Sequence, residues 1–296
     1  MGQFSISDLE NLSGIKAPTI RMWEQRYNIL RPERTATNIR TYCDADLRRL
    51  LNVATLCSRG QRISHVARLS EGELAQAVLA GSDDPHDYAR QVNALLAAML
   101  EMNEHQLTKV LTATIRQLGF ETAIMYVVYP FLQRIGLLWQ AGSVNPAQEH
   151  LVTNLLRQKM LVATDSLPLV APATTRRWVL YLPEGELHEL ALLFMNHALR
   201  SRGHHVLYLG QNMPLDDLKV VYSTYQPHAV CCVMTALPER DHVQAYINEL
   251  ARLCPECELF LYGGQAQHQE LEMPPRASRI RLMTDFLALA DERRLK

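Results

Sequence analysis

Glu186 and His188 of this 296-residue chain stand at a spacing that suits metal ligation. A neutral imidazole is a good ligand for a transition metal. A carboxylate two residues earlier can hold the second ring nitrogen and fix the tautomer. Farther along, Thr235-Ala236-Leu237 and Gly263-Gly264 each end a short apolar run. Glycines there would let a bulky ligand tail approach the backbone. Trp139 is followed ten residues later by Glu149-His150, which sets a flat apolar ring near a polar pair. Taken singly, such a tryptophan packs a helix end and such a pair faces water. A third group is Thr19, Arg21 and Arg26, which a second short helix would present toward a duplex. These types contact phosphates and base edges.

The elements that must carry these residues follow from pattern. Trp178–Leu182, His205–Leu209, Ala229–Met234, Leu259–Tyr262 and Ile280–Met283 read as strands, and 188–202, 214–225 and 239–253 as helices. Alternating units of this length predict a doubly wound parallel sheet, Rossmann-like and flavodoxin-like, over residues 177–296. Ligands of such sheets bind beyond the carboxyl ends of the strands. Residues 73–163 carry four amphipathic stretches, Gln91–Leu100, Gln106–Leu118, Glu121–Leu138 and Pro146–Ala163, which predict a four-helix bundle. A linker is expected at 164–176, where Pro168 and Pro172 interrupt any period.

Residues 1–72 predict a winged helix-turn-helix. Ser7 can cap a first helix with Glu10 completing a capping box. Gly14 suits the turn, and Pro18 opens a second helix that contains Trp23, read as core. Arg34 to Tyr42 then forms a hairpin wing ahead of a helix from Asp44 to Leu50. Leu69-Ser70-Glu71-Gly72-Glu73 breaks the pattern, and no heptads persist long enough for a coiled coil. Dimerisation would therefore use the later domains.

Composition bounds the class. Hydrophobic residues make up 48% and charged residues 21%, with a net charge of −1, so the chain is globular. The near-neutral total hides an asymmetry. Residues 1–72 hold eleven Lys/Arg against seven Asp/Glu, while the remainder is acidic. A basic head on an acidic body fits a polyanion reader. With no long uncharged apolar run and an acidic N-terminal segment, no membrane association and a cytoplasmic location are expected. Six cysteines fit reduced thiols. Cys254 and Cys257 form a C-x-x-C without a second pair, and Cys231-Cys232 sits in a core strand. No P-loop, dinucleotide fingerprint, nucleophile elbow or catalytic triad is present, so an enzyme is not expected.

Ordered motifs carry a resemblance. Residues 5–42, with I-S-D-L-E-x-L-S-G-I-K, T-I-R-x-W-E-x-R-Y and R-T-x-x-N-x-R-x-Y, closely resemble the MerR winged-helix family. That resemblance implies operator DNA as partner, with contacts from Thr19, Arg21, Arg26, Tyr27, Arg34, Asn38 and Arg40. The W-x9-E-H of Trp139, Glu149 and His150 resembles the helical cap of the light-responsive cobalamin-binding repressors of the CarH/CarA group. There the cap covers the upper face of adenosylcobalamin. Glu186, His188, Thr235, Leu237, Gly263 and Gly264 resemble the cobalamin signature D-x-H-x-x-G … S-x-L … G-G. The resemblance implies His188 as the cobalt ligand and the other five as cofactor contacts. Four positions depart from these patterns. Glu186 stands where the signature has Asp, as it does in the CarH/CarA group. Ala191 stands for the signature glycine, and Thr235 for the serine. Gln140 occupies the place where light-sensing members can hold a histidine.

The expected protein is a multidomain transcriptional repressor. Adenosylcobalamin, or another cobalamin form, and light would control its homo-oligomer, a dimer or tetramer built through the bundle and the C-terminal domain. Two other readings stay open. One is a regulator whose altered cobalamin module answers a protein partner or another ligand. The other is a cobalamin-dependent methyl-transfer module, although the substrate barrel of about 250 residues that such enzymes use has no room here.

Overall fold

The computed structural model describes residues 4–35, 38–58, 60–80, 88–140, 144–168, 176–268 and 270–291. They fall into two compact units, Met1–Leu155 and Leu156–Lys296. Of the expected linker, residues 169–175 lie outside the described residues.

In the first unit, α1 (Ile6–Ser13) and α2 (Ala17–Tyr27) are joined by a turn in which Gly14 takes a left-handed φ of 73°. The cap of α1 corrects the sequence expectation. Ser5, not Ser7, caps the helix. Asp8 N–H donates to Ser5 Oγ at 3.2 Å, and Ser5 N–H donates to Asp8 Oδ2 at 2.7 Å. Glu10 is used elsewhere: it accepts from Lys16 Nζ at 2.9 Å and from Ala17 N–H at 3.0 Å. It thereby satisfies the first turn of α2, whose own N-cap Lys16 offers no side-chain acceptor.

Strands β1 (Glu33–Arg34) and β2 (Arg40–Thr41) pair antiparallel to form the wing. Its tip residues 36 and 37 lie outside the described residues. Helix α3 (Asp44–Ser58) runs a further two turns beyond the expected Leu50, because Leu51, Val53, Ala54 and Leu56 are all buried. A short α4 (Ile63–Val66) follows. The Leu69–Glu73 break is a helix start: Ser70 and Glu73 form a capping box ahead of α5 (Glu71–Ala80).

Helices α6 (Tyr88–Leu100) and α7 (Glu104–Leu118) come next. A third rod is made of α8 (Phe120–Ala123), a π turn (Ile124–Val128) and α9 (Tyr129–Gln140). Helix α10 (Pro146–Asp165) completes the expected set of four. Buried polar contacts stitch the head to these helices. Asn93 of α6 donates to Thr55 of α3 at 3.1 Å and accepts from Arg134 of α9 at 2.5 Å.

The second unit is a five-stranded parallel sheet in the order β4-β3-β5-β6-β7. The strands are β3 (Arg177–Pro183), β4 (His205–Met213), β5 (Ala229–Val233), β6 (Glu258–Tyr262) and β7 (Ala277–Arg279). Helices α11 (Leu190–Ser201), α12 (Leu218–Tyr225) and α13 (Arg240–Leu253) make the crossovers. On one face Val179, Tyr181, Val230, Cys232, Leu259 and Leu261 pack with Val243, Ile247 and Leu250 of α13. On the other, Trp178 stacks on Phe260 at 5.3 Å. The chain leaves β3 toward one edge and returns past it to β5, so the crevice between the β3 and β5 loops is the topological switch point.

The last strand departs from expectation. It spans Ala277–Arg279, not Ile280–Met283, and Met283–Asp291 forms a helix, α14. The Asp285 carboxylate accepts from Leu282 N–H at 2.9 Å and starts that helix, which seats Phe286 and Ala290 in the core.

Candidate functional site

The head presents a basic face. Arg21 and Arg26 are exposed on α2, with Thr19 and Tyr27 half-buried beside them. Arg26 lies over the Tyr27 ring at 5.6 Å. Trp23 is buried, as expected of core. Arg34 and Asn38 meet across the wing at 2.5 Å, and Asn38 takes a left-handed φ of 62°. Arg40 is committed differently: its Nε donates to Glu24 of α2 at 3.0 Å. Tyr42 donates to the other oxygen of Glu24 at 2.9 Å. Burial, and then the Glu24 carboxylate, push the Tyr42 phenol well above its ordinary range. Glu24 thus clamps the wing to α2, a role that the sequence reading did not assign. No local pattern signals it, because the partners of Glu24 lie 16 and 18 residues away.

The loop after β3 is held by hydrogen bonds to two neighbouring strands' ends. Gly185 turns it with a φ of 79°, and its N–H donates to Asn212 Oδ1 at 2.7 Å. Glu186 is buried to 1% exposure, and one of its oxygens accepts from Leu187 N–H and His188 N–H. The same oxygen lies 2.5 Å from His188 Nδ1. The second oxygen accepts from the backbone N–H groups of Thr235, Ala236 and Leu237 at 3.0, 2.6 and 2.9 Å. Burial alone would raise this carboxyl. The hydrogen bonds from Leu237 and Ala236, then from His188, outweigh it and hold the pKa at about 2. Glu186 is therefore a fixed anion, placed to accept a hydrogen bond from His188 Nδ1. The imidazole is 64% exposed, and among the described residues nothing bonds its Nε2. An oriented imidazole with a free nitrogen, in the switch-point crevice, has the chemistry of a metal ligand.

Glu186 also brings the second sequence motif to the first. Thr235 is exposed and Leu237 half-buried, and both contribute backbone donors rather than side chains to this carboxylate. The Gly263-Gly264 pair, after β6, divides in role. A Cβ at Gly263, whose φ is 105°, would lie 2.4 Å from Met234 O, so this glycine is required by the chain's approach to itself. Gly264 is exposed, with its Cβ position 3.2 Å from Thr235 O. Ala191 falls in the first turn of α11 and is half-buried.

In the first unit, Trp139 ends α9 and is 49% exposed, although the large rings Phe131 and Trp23 are buried there. Glu149 and His150 open α10, with His150 Nδ1 4.0 Å from Glu149 Oε2. Thr153 donates to the other Glu149 oxygen at 3.2 Å. The side chain of Gln140 lies outside the described residues.

Within the second unit the residues present fit a cobalamin's protein ligand: a preorganised imidazole with a buried carboxylate behind it. Comparisons agree. Residues 4–73 match the model of the MerR HTH family regulatory proteins, and residues 91–163 that of a B12 binding domain. The HTH-type transcriptional repressor CarH of Myxococcus xanthus is 29% identical over 269 residues, 89% of this chain and 89% of that one. CarA of the same organism is 24% identical over 266 residues, 89% of this chain and 88% of that one. The monomethylamine corrinoid protein of Methanosarcina barkeri superposes with a TM-score of 0.53 at 13% identity, over 66% of this chain and 94% of that one. At that identity the likeness is one of fold.

Proposed function

We propose that this chain, a CarH/CarA-like regulator that joins a MerR-type helix-turn-helix domain to a B12-binding domain, represses transcription from operator DNA under the control of adenosylcobalamin and light. The observation that carries the cofactor is the Glu186–His188 pair, with Nδ1 held and Nε2 free. In this reading Nε2 of His188 would hold the cobalt. Trp139, Glu149 and His150 would contact the cofactor's upper ligand, and Thr235, Leu237, Gly263 and Gly264 its nucleotide tail. When bound, the cofactor supplies a cobalt–carbon bond that light can break.

The chain's own contribution is binding and assembly. Trp139 gives an apolar plate for the upper ligand, and Glu149 and His150 offer it polar partners. Gln140 carries an amide that supplies no imidazole, so a second histidine ligand does not come from that position. Thr19, Arg21, Arg26, Tyr27, Arg34 and Asn38 contact the duplex. Arg40 supports the wing through Glu24 as well as adding charge. Assembly of heads into a dimer or tetramer raises operator affinity by avidity, on the order of 10²–10⁴-fold. Loss of assembly in light releases the operator. The protein works where the DNA is, in the cytoplasm.

Purified apoprotein mixed in the dark with adenosylcobalamin tests this. Co-elution, a changed absorption spectrum, and a larger particle that shrinks under green light are expected. Tight operator binding that ignores both cobalamin and light would instead favour a regulator answering another ligand, with Ala191 and Gln140 as the altered positions.

A further inference from the structure

We propose that Arg157 is a positioning residue for His188, acting through Glu189, so that helix α10 and the imidazole loop move as one piece. The inference rests on the cobalamin reading and deepens it. Glu189 directly follows His188 and precedes α11. Its side chain is 8% exposed, yet it is a carboxylate with two partners from other elements. Arg157 of α10 donates its Nε–H to one oxygen, and Tyr208 of β4 donates its hydroxyl to the other at 3.3 Å. Burial and then Glu189 push the Tyr208 phenol well above its ordinary range, so it stays a donor.

The remaining ties of the loop all run to the sheet. Gly185 N–H reaches Asn212 and Leu187 O accepts from Gln211, both on β4, while Glu186 reaches the residues after β5. Among the described residues, Arg157–Glu189 is the tie that leaves the sheet for α10. A displacement of α10 at Arg157 therefore pulls on the residue next to the imidazole. Without the guanidinium, Glu189 is a buried carboxylate held by one phenol, and it must reorient to reach water. His188 would then follow its neighbour.

The test compares wild type with Arg157→Met, Arg157→Lys, Tyr208→Phe and His188→Ala, each checked for fold by circular dichroism. Amide hydrogen exchange of residues 185–190 in the apoprotein reads the loop without cofactor. The dark absorption spectrum with added adenosylcobalamin reads axial ligation. In Arg157→Met, loop exchange is expected to rise about tenfold, and the spectrum to move toward that of His188→Ala. Arg157→Lys is expected to restore both in part, and Tyr208→Phe to give a smaller change in the same direction. A wild-type spectrum that Arg157→Met leaves intact, with unchanged exchange, would overturn the latch alone. No spectral change in wild type would overturn the cobalamin reading and the latch with it. Should Arg157→Met fail to fold, Tyr208→Phe with wild-type exchange and spectrum overturns the proposal by itself.

Discussion

Glu186 Oε1 lies 2.5 Å from His188 Nδ1, while the other oxygen of the same carboxylate gathers three successive backbone N–H groups from the far side of the switch point. One buried anion therefore orients the imidazole and joins the two loops that flank the crevice.

Glu186→Gln should expose that dual role. An amide has one oxygen and cannot serve both Nδ1–H and the 235–237 donors. Cobalamin affinity should fall about 10–100-fold, as for other partners that hold a metal's histidine. Stability should fall by about 1–3 kcal/mol as buried donors go unpaired. Isothermal titration and thermal melting measure the two effects. Affinity at the wild-type level would remove Glu186 from the site.

The two glycines after β6 should separate in a substitution test. Gly263→Ala forces a Cβ against Met234 O at 2.4 Å from a φ of 105°, and backbone strain of this kind costs about 1–3 kcal/mol. Gly264→Ala meets Thr235 O at 3.2 Å, a contact that a small shift relieves. The first variant should melt well below the second in the absence of any ligand. Equal melting temperatures would contradict the self-packing role of Gly263.

Alkaline pH should destabilise the sheet unit. Burial pushes the Cys232 thiol up to about 12 from an ordinary value near 9. The folded thiol then stays protonated while the unfolded one ionises. Its contribution is full below pH 9 and is lost as pH rises from about 9 to 12, at up to about 1.4 kcal/mol per pH unit. The Tyr225 phenol, raised by burial to about 12, adds to the loss above pH 10. Urea melts between pH 8 and 11 should show it, and Cys232→Ala should flatten the slope. An unchanged slope in that variant would exclude the thiol.

In the head, Arg21→Ala and Arg26→Ala should each weaken binding to any duplex and lower the salt slope by about one. Glu24→Gln should act through the wing instead. Arg40 and Tyr42 lose a charged acceptor, and affinity should fall with little change in salt slope. Fluorescence anisotropy against salt concentration distinguishes the two. A lowered slope for Glu24→Gln would mean that the clamp is not its role.

Much of this protein could be read along the chain. The helix-turn-helix, the four bundle helices, four of the five strands, and Glu186 with His188 are written in short-range pattern. Periodicity, capping residues and a two-residue offset need no distant partner. Where local signals competed, the tertiary structure chose. Ser5–Asp8 and Ser7–Glu10 both satisfy a capping box, and Glu10 was taken by the start of α2. Ile280–Met283 alternates like a strand, yet Asp285 caps Leu282 and Phe286 needs burial, so a helix begins there.

Other features had no local trace. Glu24 finds Arg40, Glu189 finds Arg157 and Tyr208, and Glu186 finds three backbone donors about fifty positions downstream. A buried carboxylate takes whichever donors the fold brings within hydrogen-bond reach, and the linear order of residues does not encode that distance. The sequence by itself determined which groups could ligate or contact DNA; only the folded chain decided which of them are held still and by what.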